Sequence, residues 1–208
     1  VYIREDEVKA YVKELARSYD TAYRKHAFTT AEGKDITIDS GFYGWRMNRS
    51  EETEELINLV KQGAVVEREP VYIQTAASHG ERDYGDTYVE INLSKQHLYF
   101  WEKGNIIIES DFVSGNMVKG MATPGGIFPI TYKERNAVLK GTNYRTPVSY
   151  WMPFNGGIGM HDAPWRKQFG GTIYETNGSH GCINLPVDVA REIYEHVEAG
   201  MPVICYYE

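Results

Sequence analysis

From Thr87 onward apolar residues recur at every second position, and this period constrains the fold more than any other feature of the chain. Val89, Ile91 and Leu93 alternate, and successive side chains of a strand point to opposite faces, so one apolar face turns inward. Leu98-Tyr99-Phe100-Trp101 continues as a second strand, and Glu102-Lys103-Gly104-Asn105 turns the chain into Ile106-Ile107-Ile108. Phe112-Val113, Phe128–Tyr132 and Val148–Met152 add further strands. Strands this short and frequent, with glycine-rich turns, predict an antiparallel all-β sandwich or barrel. One helix interrupts it. Pro186 opens that helix, Val187, Ala190, Ile193, Tyr194 and Val197 form its apolar face, and Gly200 ends it before the strand Val203–Tyr206.

The chain before Thr87 obeys a different period. Val8, Tyr11, Val12, Leu15 and Ala16 recur at helical spacing and predict an amphipathic helix from about Glu5 to Tyr19. Ile36-Thr37-Ile38 reads as a short strand, and Gly41-Phe42-Tyr43-Gly44-Trp45 as a glycine-bracketed aromatic strand or turn. Ser50 is the expected N-cap of a second helix, with Glu51 and Glu52 in its first turn and Gly63 as its stop. Residues 1–64 therefore read as a small α+β unit, 65–86 as a polar, turn-rich linker with Val71-Tyr72-Ile73 extended, and 87–208 as the β domain. Tyr43 and Trp45 are expected to pack rather than to hold a glycan. His26, His79, His97 and His196 lie in ordinary surroundings and read as structural or solvated.

A length of 208 residues suffices to bury a core. A net charge of −7 argues against nucleic acid or an anionic membrane as the main partner. No apolar run is long enough to span a bilayer, and the chain opens on Val1 rather than Met, as expected of a fragment lacking its anchoring segment. Two cysteines do not make a disulfide scaffold.

One of those cysteines, Cys182, sits in the turn-forming stretch Thr176-Asn177-Gly178-Ser179-His180-Gly181-Cys182-Ile183-Asn184-Leu185-Pro186. The thiolate is the attacking form of a cysteine, so a nucleophilic role needs a base, and the base needs a partner that fixes its tautomer. His180 is the near candidate. His161 is the other, at the end of the Gly-interleaved run Gly157-Ile158-Gly159-Met160, and Asp162 follows it. Two further readings compete for Cys182. A disulfide to Cys205 is one, although Cys205 lies in an apolar strand and reads as a small buried hydrophobe. A zinc site of His161, His180 and Cys182 is the other, although it lacks a fourth ligand.

The spacing of His161 and Ser179-His180-Gly181-Cys182-Ile183-Asn184 resembles the signature of the L,D-transpeptidase (YkuD-like) catalytic domain. Thr123-Pro124-Gly125-Gly126-Ile127-Phe128 and Tyr88–Tyr99 are similar to two further segments of that family, so the resemblance spans about residues 85–208. The Tyr-Gly-Trp-Arg run and the Glu-rich helix closing at Gly63 resemble the accessory, peptidoglycan-binding-like domain of some Gram-positive members. The resemblance implies Cys182 as nucleophile and His161 as general base and acid. It also implies that Ser179, His180 and Gly181 shape the oxyanion region, and that either Asp162 or a backbone carbonyl orients His161.

Substrate contacts are expected from Trp151, Met152, Trp165 and Asn184 along a groove, with Gly170 and Gly171 admitting substrate backbone; core packing is the competing role for Trp151 and Met152. The implied reaction is cysteine-dependent acyl transfer on peptidoglycan stem peptides, without cofactor or metal, outside the cytoplasm, with carbapenems as covalent inhibitors. Water as acceptor would make the same site an L,D-carboxypeptidase, and a silent site would leave a wall-binding module.

Overall fold

A computed structural model describes residues 3–141 and 144–208, so the first two residues of the 1–64 unit lie outside the described chain. The N-terminal part runs α1 (Glu5–Tyr19), the hairpin β1 (His26–Thr29) and β2 (Asp35–Ile38), β3 (Arg46–Met47), α2 (Arg49–Gln62) and β4 (Tyr72–Gln74). The predicted helices are present, with one correction. Asn48, not Ser50, caps α2, its side chain accepting from the Glu51 amide at 3.3 Å. Gly63 closes the helix in the left-handed conformation.

The β domain runs β5 (Tyr88–Asn92), β6 (His97–Glu102), β7 (Asn105–Asp111), β8 (Gly126–Pro129), β9 (Glu134–Lys140), β10 (Arg145–Asn155), β11 (Ile158–Asp162), α3 (Ile173–Asn177), β12 (Ile183–Leu185), α4 (Val187–His196) and β13 (Pro202–Tyr206). It forms a five-stranded sheet, order β7-β6-β5-β13-β8, and a four-stranded sheet, order β12-β11-β10-β9. The fold is mainly β, as the alternation predicts, but two neighbouring pairs are parallel, β13 with β5 and β11 with β12. Between the sheets lies the main core, where Val89, Ile91 and Phe100 of one meet Met152, Phe154 and Met160 of the other, with Ala190 and Ile193 of α4.

The second face of β5 is buried as well, which its polar residues do not suggest. Phe28, Ile38 and Tyr43 from the first 64 residues pack on Tyr88, Ile127, Ile204 and Tyr206. Glu90 lies fully buried there. Its carboxylate accepts from the Ala31 amide at 2.8 Å, Trp101 Nε1 at 2.8 Å and Tyr206 Oη at 2.7 Å. Burial raises the Glu90 pKa, and three donors supply the partners a buried carboxylate needs. Residues 65–86 are likewise tied down. Within them β4 pairs with β3, Ala77 donates to Tyr43 Oη at 2.8 Å, and Trp45 donates to the Ser78 carbonyl while stacking on His79.

Cys205 lies fully buried in β13, and both cysteines are free, so the disulfide reading is excluded. Replacing Cys205 with Ser puts a hydroxyl into an apolar interior. Chemical denaturation is expected to register a loss of about 1–3 kcal/mol, with the reactivity of Cys182 unchanged.

Candidate active site

Three neighbouring strands bring the site together in one row. Trp151 on β10 is paired across from His161 on β11, and His161 is in turn paired with Asn184 on β12. Neighbours across a sheet at the same level share a face, and Cys182, two residues before Asn184, falls on that face too. The intervening residues Met152, Met160 and Ile183 take the opposite face and enter the main core. Met152 is therefore a core residue, which corrects its expected place in the groove. Trp151 is buried against Ala137, Val148 and Cys182, forming a floor beneath the site.

A cavity of about 380 Å³ opens over this row. Of the residues singled out in the sequence, His161, Trp165, Ser179, His180, Cys182 and Asn184 line it. Trp165 is 51% exposed and its ring centroid lies 6.0 Å from that of His161. Leu139, Tyr144, Thr146, Arg166 and Gly178 complete the wall. Gly178 belongs to the turn-forming stretch around Cys182, and no motif marked the other four. Gly170 and Gly171 do not line it, and the close approach expected at Gly170 is internal: a Cβ there would meet the Asp111 carboxylate at 2.9 Å.

The loop carrying Cys182 is held by its own side chains. Ser179 Oγ donates to the Cys182 carbonyl at 2.5 Å and accepts from the Gly181 amide at 3.0 Å. Buried Thr123 donates to the Gly181 carbonyl at 2.7 Å. Gly181 adopts φ +119°, a region that residues with a Cβ avoid. Ser179 and Gly181 thus shape the turn from within, and the Gly181 amide is already engaged. The amides of His180 and Cys182 have no acceptor among the described residues. His180 stands exposed at the rim, its ring centroid 4.7 Å from that of Tyr144.

Two groups with a single hydrogen-bonding role fix the His161 tautomer. Asp162's backbone carbonyl, which only accepts, lies 2.8 Å from Nδ1, so Nδ1 carries the proton. Arg166 Nε, which only donates, lies 2.7 Å from Asn184 Oδ1; the Asn184 amide nitrogen then faces His161 Nε2 at 3.1 Å and donates to it. The Asp162 carboxylate plays no part in this. It accepts from the amides of Ser149 at 2.8 Å and Tyr150 at 2.9 Å, so of the two expected orienters the carbonyl is the one in contact.

The resting pair is neutral. Burial pushes the Cys182 thiol up to about 11, and the thiol lies 3.6 Å from the Gly157 carbonyl, to which it donates. Burial also lowers the His161 pKa, against the opposing effects of the Asp162 carbonyl and carboxylate. An un-ionised thiol beside an un-ionised imidazole favours proton transfer during attack over a standing ion pair. Among the described residues no group of three or more His, Cys, Asp or Glu could hold a metal.

Residues 86–205 match the family described as the L,D-transpeptidase catalytic domain, and residues 1–66 match a putative peptidoglycan binding domain. The crystal structure of a cysteine-to-serine mutant of Enterococcus faecium L,D-transpeptidase is 35% identical, with a TM-score of 0.81 over 98% of this chain and 83% of that one. The catalytic domain of the E. faecium enzyme, solved acylated by ertapenem, is 43% identical with a TM-score of 0.54, over 59% of this chain and 98% of that one. The putative L,D-transpeptidase YciB of Bacillus subtilis is 28% identical over 56% of this chain and 64% of its own length. The match thus spans under two thirds of that curated relative. With more than half of its length matched by the catalytic-domain family, and a cysteine, a histidine and an asparagine set along one cavity, this chain belongs to the L,D-transpeptidases.

Proposed function

We propose that the chain forms 3→3 cross-links between peptidoglycan stem peptides through a thioester on Cys182. The observation that carries this reading is a cavity with both a buried thiol and an imidazole whose proton sits on Nδ1. The Asn184 amide gives up its place on His161 Nε2, and the Cys182 thiol passes its proton there as sulfur attacks the carbonyl of the third stem residue. The carbon–nitrogen bond to the fourth-position D-Ala breaks, His161 returns the proton to the departing amine, and a thioester remains. The side-chain amine of a second stem attacks that thioester, forming a new amide and releasing the thiol. The un-bonded amides of Cys182 and His180 are the candidate donors to the oxyanion in both steps. No cofactor enters this balance.

Residues 1–66 support action at the cell wall and binding of the polymer itself. No helix among the described residues is long and apolar enough to cross a membrane. The site is read as extracytoplasmic and as open to covalent capture by carbapenems. Mass spectrometry after incubation with a purified disaccharide-tetrapeptide tests the reading. Cross-linked dimer is the expected product. Trimmed tripeptide would assign the acceptor role to water and make the protein an L,D-carboxypeptidase, and unchanged substrate would leave a wall-binding module.

A further inference from the structure

Arg166 is a half-buried cation in the cavity wall with no acidic partner among the described residues. Its Nε donates to Asn184 Oδ1 at 2.7 Å and its Nη1 to the Asn177 carbonyl at 2.9 Å. Nη2 has no acceptor, and the side chain forms no ion pair, among the described residues. None of the described residues lining the cavity is acidic. The nearest-in-sequence carboxylate, Asp162, is spent on the Ser149 and Tyr150 amides. Burial lowers the Arg166 pKa. A half-buried guanidinium without an anion carries an uncompensated cost, and the free Nη2 beside the engaged Nε and Nη1 leaves a charged donor for one carboxylate oxygen. In a chain of net charge −7, such a group inside the reactive cavity is conspicuous.

The geometry points to Arg166 as the residue that reads the free terminal carboxylate of the donor stem, an inference that rests on the transpeptidase reading above. In that reaction the group leaving Cys182 is a single amino acid, and its carboxylate lies close beside the departing nitrogen. A cation fixed by Asn184 and Asn177 in the same cavity as Cys182 meets that carboxylate only when the scissile bond is the last of the stem. Arg166 thereby selects a stem ending one residue beyond the reacting carbonyl over a longer or capped one.

Calorimetric binding in the Cys182→Ala background tests this without turnover. The probes are a synthetic stem tetrapeptide with a free C-terminal carboxylate and the same peptide ending in a carboxamide. The free acid is expected to bind about ten- to a hundredfold tighter, the range for a hydrogen bond to a charged group. Arg166→Gln weakens the acid and brings the two probes together, and Arg166→Lys, which keeps the charge without the fork, retains part of the preference. Equal affinity for both probes before Arg166 is changed, or binding of neither, overturns the proposal. So does an undiminished preference in Arg166→Gln, or an equal loss on both probes, which is the mark of a purely structural strut. Turnover of the disaccharide-tetrapeptide by the parent is scored separately. Product without an acid preference sinks the Arg166 role alone, whereas an Arg166-dependent preference without product sinks the transpeptidase reading and keeps the carboxylate site.

Discussion

Incubated with a carbapenem, the parent chain gains the mass of one inhibitor and Cys182→Ala gains none. A β-lactam presents a strained carbonyl, and opening its ring on sulfur leaves a thioester with no leaving group to depart. Only two thiols exist to attack it, and Cys205 is sealed in a central strand, its pKa pushed far up by burial. The stoichiometry therefore reports Cys182 alone. The substitution is small: Cys182 is 9% exposed and packs at the edge of a minor cluster with Ala137, Val148 and Trp151. Its loss costs about 1 kcal/mol, so the variant folds and its melting curve stays close to the parent's. An unmodified intact mass for the folded parent would mean a closed or inactive site and would favour the wall-binding module.

Cys182 and His161 stand out in the sequence because a candidate reactive thiol needs neighbours of few kinds, and the turn around it needs glycine where φ is positive. The groove is less legible, and the reason is strand parity. Trp151 and Met152 read alike as apolar strand residues, yet one lies on the His161 face and the other in the core, and only the pairing Trp151↔His161 sets the phase. Arg166 sits in a loop between β11 and α3, where no period constrains a side chain, and nothing local marks it.

The same limits apply to the fold. Val89, Ile91 and Leu93 reveal the inward face of β5, but Glu90 looks like an outward residue until the β1–β2 hairpin closes over it. The parallel pairs β13–β5 and β11–β12 join segments far apart in sequence or linked by a crossover, so no turn signal encodes them. Strand β9, Glu-Arg-Asn-Ala-Val-Leu-Lys, escapes notice because it is an edge strand with mostly exposed residues.

His161→Gln is expected to slow carbapenem acylation by about 10²- to 10⁴-fold at neutral pH, the contribution usual for a general base. More telling is the change in pH dependence. In the parent, burial holds the His161 pKa below its ordinary 6.5, so the imidazole is already free to accept a proton at pH 7. Acylation should fall only as the pH drops through that lowered pKa, and should stay level from pH 7 to about 9, where the thiol, with its pKa near 11, is still protonated. Without the imidazole, attack must draw on the standing thiolate, a fraction of about 10⁻⁴ at pH 7 that grows tenfold per pH unit up to the thiol pKa. The logarithm of the His161→Gln rate should therefore climb with unit slope across the range where the parent is flat. His180→Gln, altering an exposed ring tilted against Tyr144, should keep the flat profile and lose rate only through the rim of the site. Acylation rates from stopped-flow or timed intact-mass measurements between pH 5 and 10 decide the matter. A flat profile in His161→Gln with a sloping one in His180→Gln would exchange the two histidines' roles. Unit slope already in the parent would mean that no residue here acts as a base and that Cys182 reacts as an unassisted thiol.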